Sequence, residues 1–404
     1  MEVGLASAFT GLGLILATAA AWYALMATIA AALAAWRWHR PLPSARPAPG
    51  PAVTLLKPLC GEEFELYERL RSFCLQDYPQ YQLVFGVQDA RDPALAVVRK
   101  LRQQFPALDI DCVIDPTRHG VNAKVSNLIN MLPRARHELL VIADSDVAVT
   151  PDYLLRVLAP LADPQVGLVT CPYAGRPRAG IWSPLGALFI DDWFMPSALL
   201  AAWFGSQAYV SGATIALRRE VLLRSGGLAP LADQLADDFK LGVQVRALGL
   251  SVVLSDLYIA TGVDEPSLAA LSRHTLRWLR TIKSVQPAGY ACLFITFSLP
   301  IATLGAALEG FQRRGLILLG ITVAARLVLH FRHRPNGAPE GARRQWRQLG
   351  LIPLHDALLL VLWGWGFRSR GVSWRQQHFR LGRDGSLQRV RTAGVPYHSG
   401  DIAE

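Results

Sequence analysis

The sequence predicts an α/β domain with a mixed, mostly parallel sheet, fused to transmembrane and interfacial helices. Three observations carry this. Residues 5 to 36 contain no charged side chain, and a second apolar zone fills the C-terminal third, opening with 21 consecutive uncharged residues at 288 to 308. Between these zones, β-rich runs of about five to seven residues alternate with helical patterns, the signature of βαβ units. The mean hydropathy of +0.25, with 51% hydrophobic residues in 404, is too apolar for an ordinary water-soluble enzyme.

The first element, residues 1 to 40, reads as a membrane anchor. At 1.5 Å per residue, about 20 residues of helix cross the roughly 30 Å hydrocarbon layer. No basic region precedes the apolar run, which is longer than a signal-peptide core and is closed by Arg37 and Arg40. It is therefore read as retained, with its N-terminus outside and Arg37 inside. A proline-rich linker, 41 to 50, leads into a water-soluble domain at 51 to 285. Its expected strands are "AVTLLK" (52 to 57), "YQLVFGV" (81 to 87), "IDCVI" (110 to 114), "LLVIA" (139 to 143) and "VGLVT", with helical segments such as "EFELYERLRSFCLQ" and "DPALAVVRKLRQQF" between them.

Residues 286 to 367 are read as transmembrane or re-entrant helices, and 368 to 404 as a basic interfacial segment. Three spans here plus the anchor place the C-terminus outside. Arg368, Arg370, Arg375, Arg380 and Arg383 place it inside. Making 349 to 367 re-entrant, because Pro353 and the Gly364 to Gly366 region break a straight helix, reconciles the two.

The net charge of +10 does not point to nucleic acid, because twelve arginines lie between Arg332 and Arg391, beside apolar segments, where anionic lipid headgroups are the natural partner. The five cysteines contain no C-x-x-C pair, so neither a disulfide framework nor a thiolate metal site is indicated, and a reducing compartment fits.

Ligands of a parallel sheet bind at the carboxyl ends of its strands, and acidic residues cluster there: Asp89 and Asp92 after the second strand, Asp144 and Asp146 after the fourth. Carboxylates spaced D-x-D can hold a hard divalent cation, Mg2+ or Mn2+, whose octahedron is completed by phosphate oxygens, as in a metal-bound diphosphate sugar. Aspartates also cap helices, and "TPDYL" follows directly. In "HGVNAKVSNL", Gly120, Asn122, Lys124 and Asn127 form a polar cluster suited to a sugar nucleotide, or a solvated loop with a helix start. "SGATIALRRE" offers Ser211 and Gly212, where small residues allow close backbone approach. "LADDF" places Asp237 and Asp238 ahead of an amphipathic helix, as a general base or as helix caps. "RHTLRWLRTIK" carries Arg273, His274, Arg277, Trp278, Arg280 and Lys283, with His274, Arg277, Trp278 and Thr281 on one face.

In that order, a D, a D-x-D, a D-D and an x-x-R-W between an anchor and later hydrophobic segments, the sequence resembles the ceramide glucosyltransferase family of membrane-bound inverting glycosyltransferases, and within it the bacterial hopanoid-associated branch. The likeness runs from "LLKPLCG" at 55 to 61 through "WRQQHFRL" at 374 to 381. It implies a GT-A-like, Rossmann-related domain. It implies Asp92 near the uridine of a UDP-sugar, with Asp89 beside it, Asp144 and Asp146 at the metal, Asp238 as base with Asp237 its neighbour, and Arg277 and Trp278 as the closing pair. The family pattern opens that last motif with Gln or Arg, where this chain has His274. The resemblance further implies a multi-pass protein of the bacterial inner membrane with its active site on the cytoplasmic face. Its preferred reaction is transfer of N-acetylglucosamine to a polyhydroxylated hopanoid; glucose transfer to ceramide and transfer to polyprenyl-phosphate are alternatives.

The stretch "ALFIDDWFMPSALLAAWFG" (187 to 205), with Asp191, Asp192 and Trp193, is expected to wall the acceptor site, and "GVSWRQQHFRL", with Trp374 and Arg375, to form an interfacial lid. A non-catalytic nucleotide-sugar binding protein and a nucleotidyltransferase are the readings from other classes.

Overall fold

The structure, a computed structural model, describes residues 2–38, 50–206, 209–332, 345–368, 371–374, 377–382 and 385–389. Ten strands build the central domain: β1 (Val53–Pro58), β2 (Tyr81–Val87), β3 (Asp109–Ile114), β4 (Leu139–Ala143), β5 (Val147–Ala148), β6 (Val166–Thr170), β7 (Tyr173–Pro177), β8 (Thr214–Arg218), β9 (Ser251–Leu254) and β10 (Ile259–Val263). The five strands expected from the sequence are all present. Seven strands form one sheet in the order β3-β2-β1-β4-β8-β6-β9, in which β8 alone runs antiparallel to both neighbours. The mixed, mostly parallel α/β sheet is thus as the sequence predicts.

The strand runs are continuously apolar because both faces of the sheet are covered. Along β1, Val53 and Leu55 enter one core and Leu56 the other; along β2, Leu83, Phe85 and Val87 alternate with Val84; along β4, Val141 alternates with Leu140 and Ile142. A second, small sheet, β5-β10-β7, stands beside the carboxyl edge of the first. It was not legible as a separate layer.

Glu2–Trp38 is one helix, as expected of an anchor. It lies against Ser298–Leu308, and Cβ atoms added at Gly13 and Gly305 would each fall 2.6 Å from the other glycine's carbonyl oxygen. Glycine at these two positions is what lets the helix backbones approach so closely.

Where residues 349 to 367 are expected as re-entrant, Gln345–Gly366 is one helical stretch that, like Arg313–Phe331, is long and apolar enough to cross a bilayer. Pro353 sits in the first turn of Ile352–Gly366, where its missing N–H costs no helical hydrogen bond. The bend lies instead in the stretch expected to span, where Pro287–Thr296 and Ser298–Leu308 meet at 68°.

β11 (Gly371–Trp374), β12 (Gln377–Leu381) and β13 (Leu387–Arg389) form an antiparallel sheet docked on the central domain. Its Leu387 N–H donates to Asp233 O (2.7 Å), and Gly371 O accepts from Arg280 on the last domain helix, Leu268–Val285. Both ends of the apolar zone therefore contact the central domain. The segment expected as an interfacial lid is, where described, a sheet packed against the loop that leads to Asp237.

Trp182–Trp203 is also long and apolar enough to span, but most of it is buried inside the protein. It is a core helix with a π turn at Phe189–Phe194. Pro196, in its last segment, has no N–H to offer the Asp192 carbonyl four residues back. Arg326 Nη1 donates to that carbonyl instead, at 2.8 Å.

Candidate active site

Because β1, β2 and β4 are parallel, the loops after Pro58, Val87 and Ala143 emerge at one edge of the sheet. Antiparallel β8 starts at that edge, with Thr214 opposite Ala143, and so delivers Ser211 and Gly212 beside Asp144. Val147 of β5 lies opposite Thr261 of β10, which holds the D-x-D between the two sheets. Thr261 Oγ1 donates to Asp146 Oδ2 at 2.8 Å, and Gly262 N–H to Asp146 O at 3.0 Å.

Lys57, the last polar residue of β1, is fully buried beneath this turn. Its ammonium donates to Asp144 O at 2.5 Å and sits 3.6 Å from the Phe73 ring centre. Burial pushes its pKa down to about 7, against the pull of Asp144 and Asp146.

Above the turn, three carboxylates, Asp144, Asp237 and Asp238, surround one ammonium. Lys124 Nζ is 2.5 Å from Asp144 Oδ1, 4.0 Å from Asp237 Oδ2 and 3.4 Å from Gly212 O. Burial pulls the Lys124 pKa down, but Asp144 and Asp237 outweigh it and the net direction is up. Asp238 Oδ2 accepts from Gly212 N–H and its Oδ1 from Phe239 N–H, both at 2.7 Å. A Cβ on Gly212 would sit 3.1 Å from Lys124 Nζ and 3.2 Å from Asp238 Oδ2, so glycine is what lets these groups converge.

Burial, then the charge of Asp237, pushes the Asp238 carboxyl up to about 6. Burial and the Asp144 charge raise Asp146 and Asp237 as well. Among the described residues no three His, Cys, Asp or Glu side chains gather as a ready metal cage. Asp144 and Asp146 nevertheless fit an oxygen-ligated Mg2+ or Mn2+ whose other ligands come from phosphate and water. The two adjacent negative charges, with Asp146 raised by burial and by the Asp144 charge, are what such a cation relieves.

The remaining expected residues divide by what their side chains already hold. Asn122 is fully buried: its Oδ1 caps the helix Ala123–Met131 through Val125 N–H, and its Nδ2 donates to Gln234 O (2.8 Å) and Asp237 Oδ1 (3.3 Å). It fixes the acidic loop rather than facing a donor. Asn127 is likewise buried, donating to Gly86 O at 2.7 Å. Asp92 binds Gly61 N–H with both oxygens (2.9 and 3.1 Å) and Ala94 N–H at 2.9 Å, so it ties the β1 loop to the β2 loop. Asp89 is exposed in a local turn, accepting from Arg91 N–H.

His274, Arg277 and Trp278 lie together on Leu268–Val285. The indole of Trp278 stands edge-on to Phe194 (4.8 Å between centres) and Phe189 (5.7 Å), and 6.3 Å from Tyr173.

The acidic pair of the expected acceptor wall does not face an acceptor. Asp191 is buried and accepts from Gly175 N–H at 2.7 Å. Asp192 is buried against His330 (2.9 Å) and Arg326 (3.8 Å). Trp193 is also buried, its Nε1–H donating to Thr296 Oγ1 at 2.8 Å. Phe189 and Phe194 of that stretch are the aromatics that meet Trp278, and no local feature of the sequence singles them out. Lys57, Thr261 and Tyr173 were also missed; the signal for Lys57 was a lone lysine closing an apolar strand. Trp374 lies on β11, and Arg375 falls outside the described residues.

Ceramide glucosyltransferase 1 of Caenorhabditis elegans is 23% identical over 239 residues, 59% of this chain and 51% of the relative. Ceramide glucosyltransferase 3 of the same organism is 24% identical over 268 residues, 65% and 57% of the two chains. The chain thus spans about half the length of these curated relatives. Among solved structures, a mannosyltransferase, PcManGT from Pyrobaculum calidifontis in complex with GDP-Man and Mn2+, is 21% identical, covering 89% of this chain and 99% of that one with a TM-score of 0.49. The profile described as "Glycosyl transferase family 21" matches residues 17–387, from inside the anchor through the C-terminal sheet, and the chain belongs to that family.

Proposed function

We propose that this chain transfers a sugar, with inversion, from a UDP-sugar to the hydroxyl of a membrane lipid. The observation that carries the proposal is the convergence, at one sheet edge, of Asp144, Asp146, Lys124 and Asp238 beside an aromatic wall continuous with the membrane helices. The curated relatives of family 21 move the preferred acceptor to ceramide and the preferred donor to UDP-glucose. Transfer of N-acetylglucosamine to a hopanoid, which the motif texture favours, is the competing outcome of the same assay. Catalysis on the cytoplasmic face is supported by Arg37 after the anchor and by the basic C-terminal sheet on the domain's side.

Asp238 serves as the base. Its carboxylate is held by two backbone N–H groups, so it keeps its orientation as it takes the proton from the attacking hydroxyl. The ammonium of Lys124 lies where charge develops on the departing diphosphate and stabilises it. Arg277 adds a second positive charge on the facing helix. Bound at Asp144 and Asp146, Mg2+ or Mn2+ would supply Lewis-acid neutralisation of the diphosphate. Inversion follows from a single displacement. Buried Lys57 anchors the D-x-D turn from below and keeps its carboxylates aimed at the donor.

The test is UDP release from UDP-glucose by the detergent-solubilised chain with Mg2+ or Mn2+. Release that rises on adding ceramide or a hopanoid polyol supports the proposal; the same low release with and without a lipid hydroxyl contradicts it. Pyrophosphate release from an NTP would identify a nucleotidyltransferase instead.

A further inference from the structure

His274 stands where the family pattern has Gln or Arg, and its contacts define its chemistry. Nδ1 lies 2.5 Å from Oε1 of Glu265, a carboxylate that is 7% exposed, and Nε2 lies 3.1 Å from Nε1 of Trp278, one helical turn on. An indole N–H can only donate, so Nε2 must be the unprotonated, accepting nitrogen. The carboxylate accepts the hydrogen bond of Nδ1–H. One neutral tautomer satisfies both partners, and in it no ring N–H is left to give to a phosphate.

Glu265 is itself fixed by the exchange of Ser183 Oγ with its backbone N–H (2.8 Å) and carbonyl (3.4 Å), which ties the chain to the helix that begins at Trp182. At the other end, the indole is packed between Phe189 and Phe194 of that same helical stretch and Tyr173 of β7, whose hydroxyl is within electrostatic reach of Asp238 and Asp146.

We propose that His274 is a positioning residue: held by Glu265, it accepts the Trp278 N–H and so sets the rotation of the indole at the wall along which the acceptor hydroxyl approaches Asp238. This rests on the transfer reaction of the preceding subsection. It assigns to this position a hydrogen-bond acceptor, whereas a donor-phosphate contact would call for a cation. The two roles separate under substitution. In H274Q the amide oxygen accepts from Trp278 and the amide N–H donates to Glu265. In H274R every polar atom is a donor, so the indole loses its acceptor while a phosphate would gain a stronger partner.

The test uses the full chain in detergent, labelled with 5-fluorotryptophan, with the Trp278 fluorine resonance identified by its loss in W278F. We expect that resonance to keep its wild-type position in H274Q and to move in H274R. In the transfer assay, kcat/KM for the lipid should stay within about threefold in H274Q and fall about tenfold or more in H274R, with the KM for the UDP-sugar nearly unchanged in both. The unchanged donor KM also shows that both variants are folded. An unmoved Trp278 resonance in H274R overturns the proposal, as does an H274R enzyme with tighter donor binding and normal use of the lipid. If the wild type glycosylates no lipid, the function reading fails, and the fluorine spectra still decide whether His274 positions Trp278.

Discussion

Replacing Asp238 with Asn keeps the size and one oxygen acceptor of the side chain but removes the base. Gly212 N–H and Phe239 N–H hold the carboxylate from two sides, so the loop should keep its shape with one of the two bonds weakened. Loss of a positioned general base lowers turnover by about 10²- to 10⁴-fold. The raised pKa adds a second, independent readout. With a value of about 6, roughly 97% of Asp238 is ionised at pH 7.5 and only about a tenth at pH 5. The base works ionised, so wild-type kcat/KM should fall about tenfold over that interval, and this limb should vanish in Asp238→Asn. Stability moves the other way. Between the unfolded value near 4 and about 6, the folded chain holds a proton that the unfolded chain has released, so this group's contribution to stability falls as pH rises through that window. The Asn variant should therefore unfold no earlier than wild type at pH 7.5. The assay is UDP release across pH 5 to 8, paired with thermal unfolding in detergent. A variant that keeps more than about a tenth of wild-type turnover, or that keeps the acid limb, refutes Asp238 as the base.

Arg326→Met should destabilise the chain by about 3–5 kcal/mol in detergent unfolding, because Asp192 and Asp356 are left buried without their counter-charge; adding Asp356→Asn should recover part of the loss. Lys124→Met should raise the KM for the UDP-sugar about 10- to 100-fold, since the ammonium bonded to Asp144 is also the nearest positive charge for a diphosphate; binding titrations with UDP check this. Asn122→Ala removes a helix cap and the tie to Gln234 and Asp237, and should lower stability by about 1–3 kcal/mol in thermal unfolding.

The strands were legible because sheet burial writes itself into local composition: a five- to seven-residue apolar run rich in β-branched residues has few other uses. The acidic positions were legible for the same reason, since a parallel sheet brings the ends of β1, β2 and β4 to one edge whatever the loops do. What the sequence could not show was direction. The antiparallel run of β8, which delivers Gly212 to Asp144, has no local signature. Nor could the sequence show which polar residues are consumed by the fold. Asn122, Asp191 and Asp192 have the composition of ligand contacts, and all three are spent on internal partners.

In the membrane zone, Pro353 lies in the first turn of Ile352–Gly366, where it removes no helical hydrogen bond. Arg326, His330, His355 and Asp356 interrupt otherwise apolar helices, and ionisable residues in such helices pair with one another. Applied to the sequence, that rule would have joined Arg313–Arg332 to Ile352–Gly366, as the 2.9 Å contact of Arg326 with Asp356 does.

The most direct measurement of the central claim incubates the purified chain, with Mg2+ or Mn2+, with UDP-glucose and UDP-N-acetylglucosamine in turn, against ceramide and a bacteriohopanetetrol-like polyol. Products are resolved by mass spectrometry and their anomeric configuration by NMR. A β-linked glucosylceramide formed from an α-linked donor is the predicted result. An N-acetylhexosaminyl hopanoid of inverted configuration would move the acceptor and keep the mechanism. A product that retains the donor's configuration, or no lipid product from any pairing, would contradict single-step transfer to a lipid hydroxyl by Asp238.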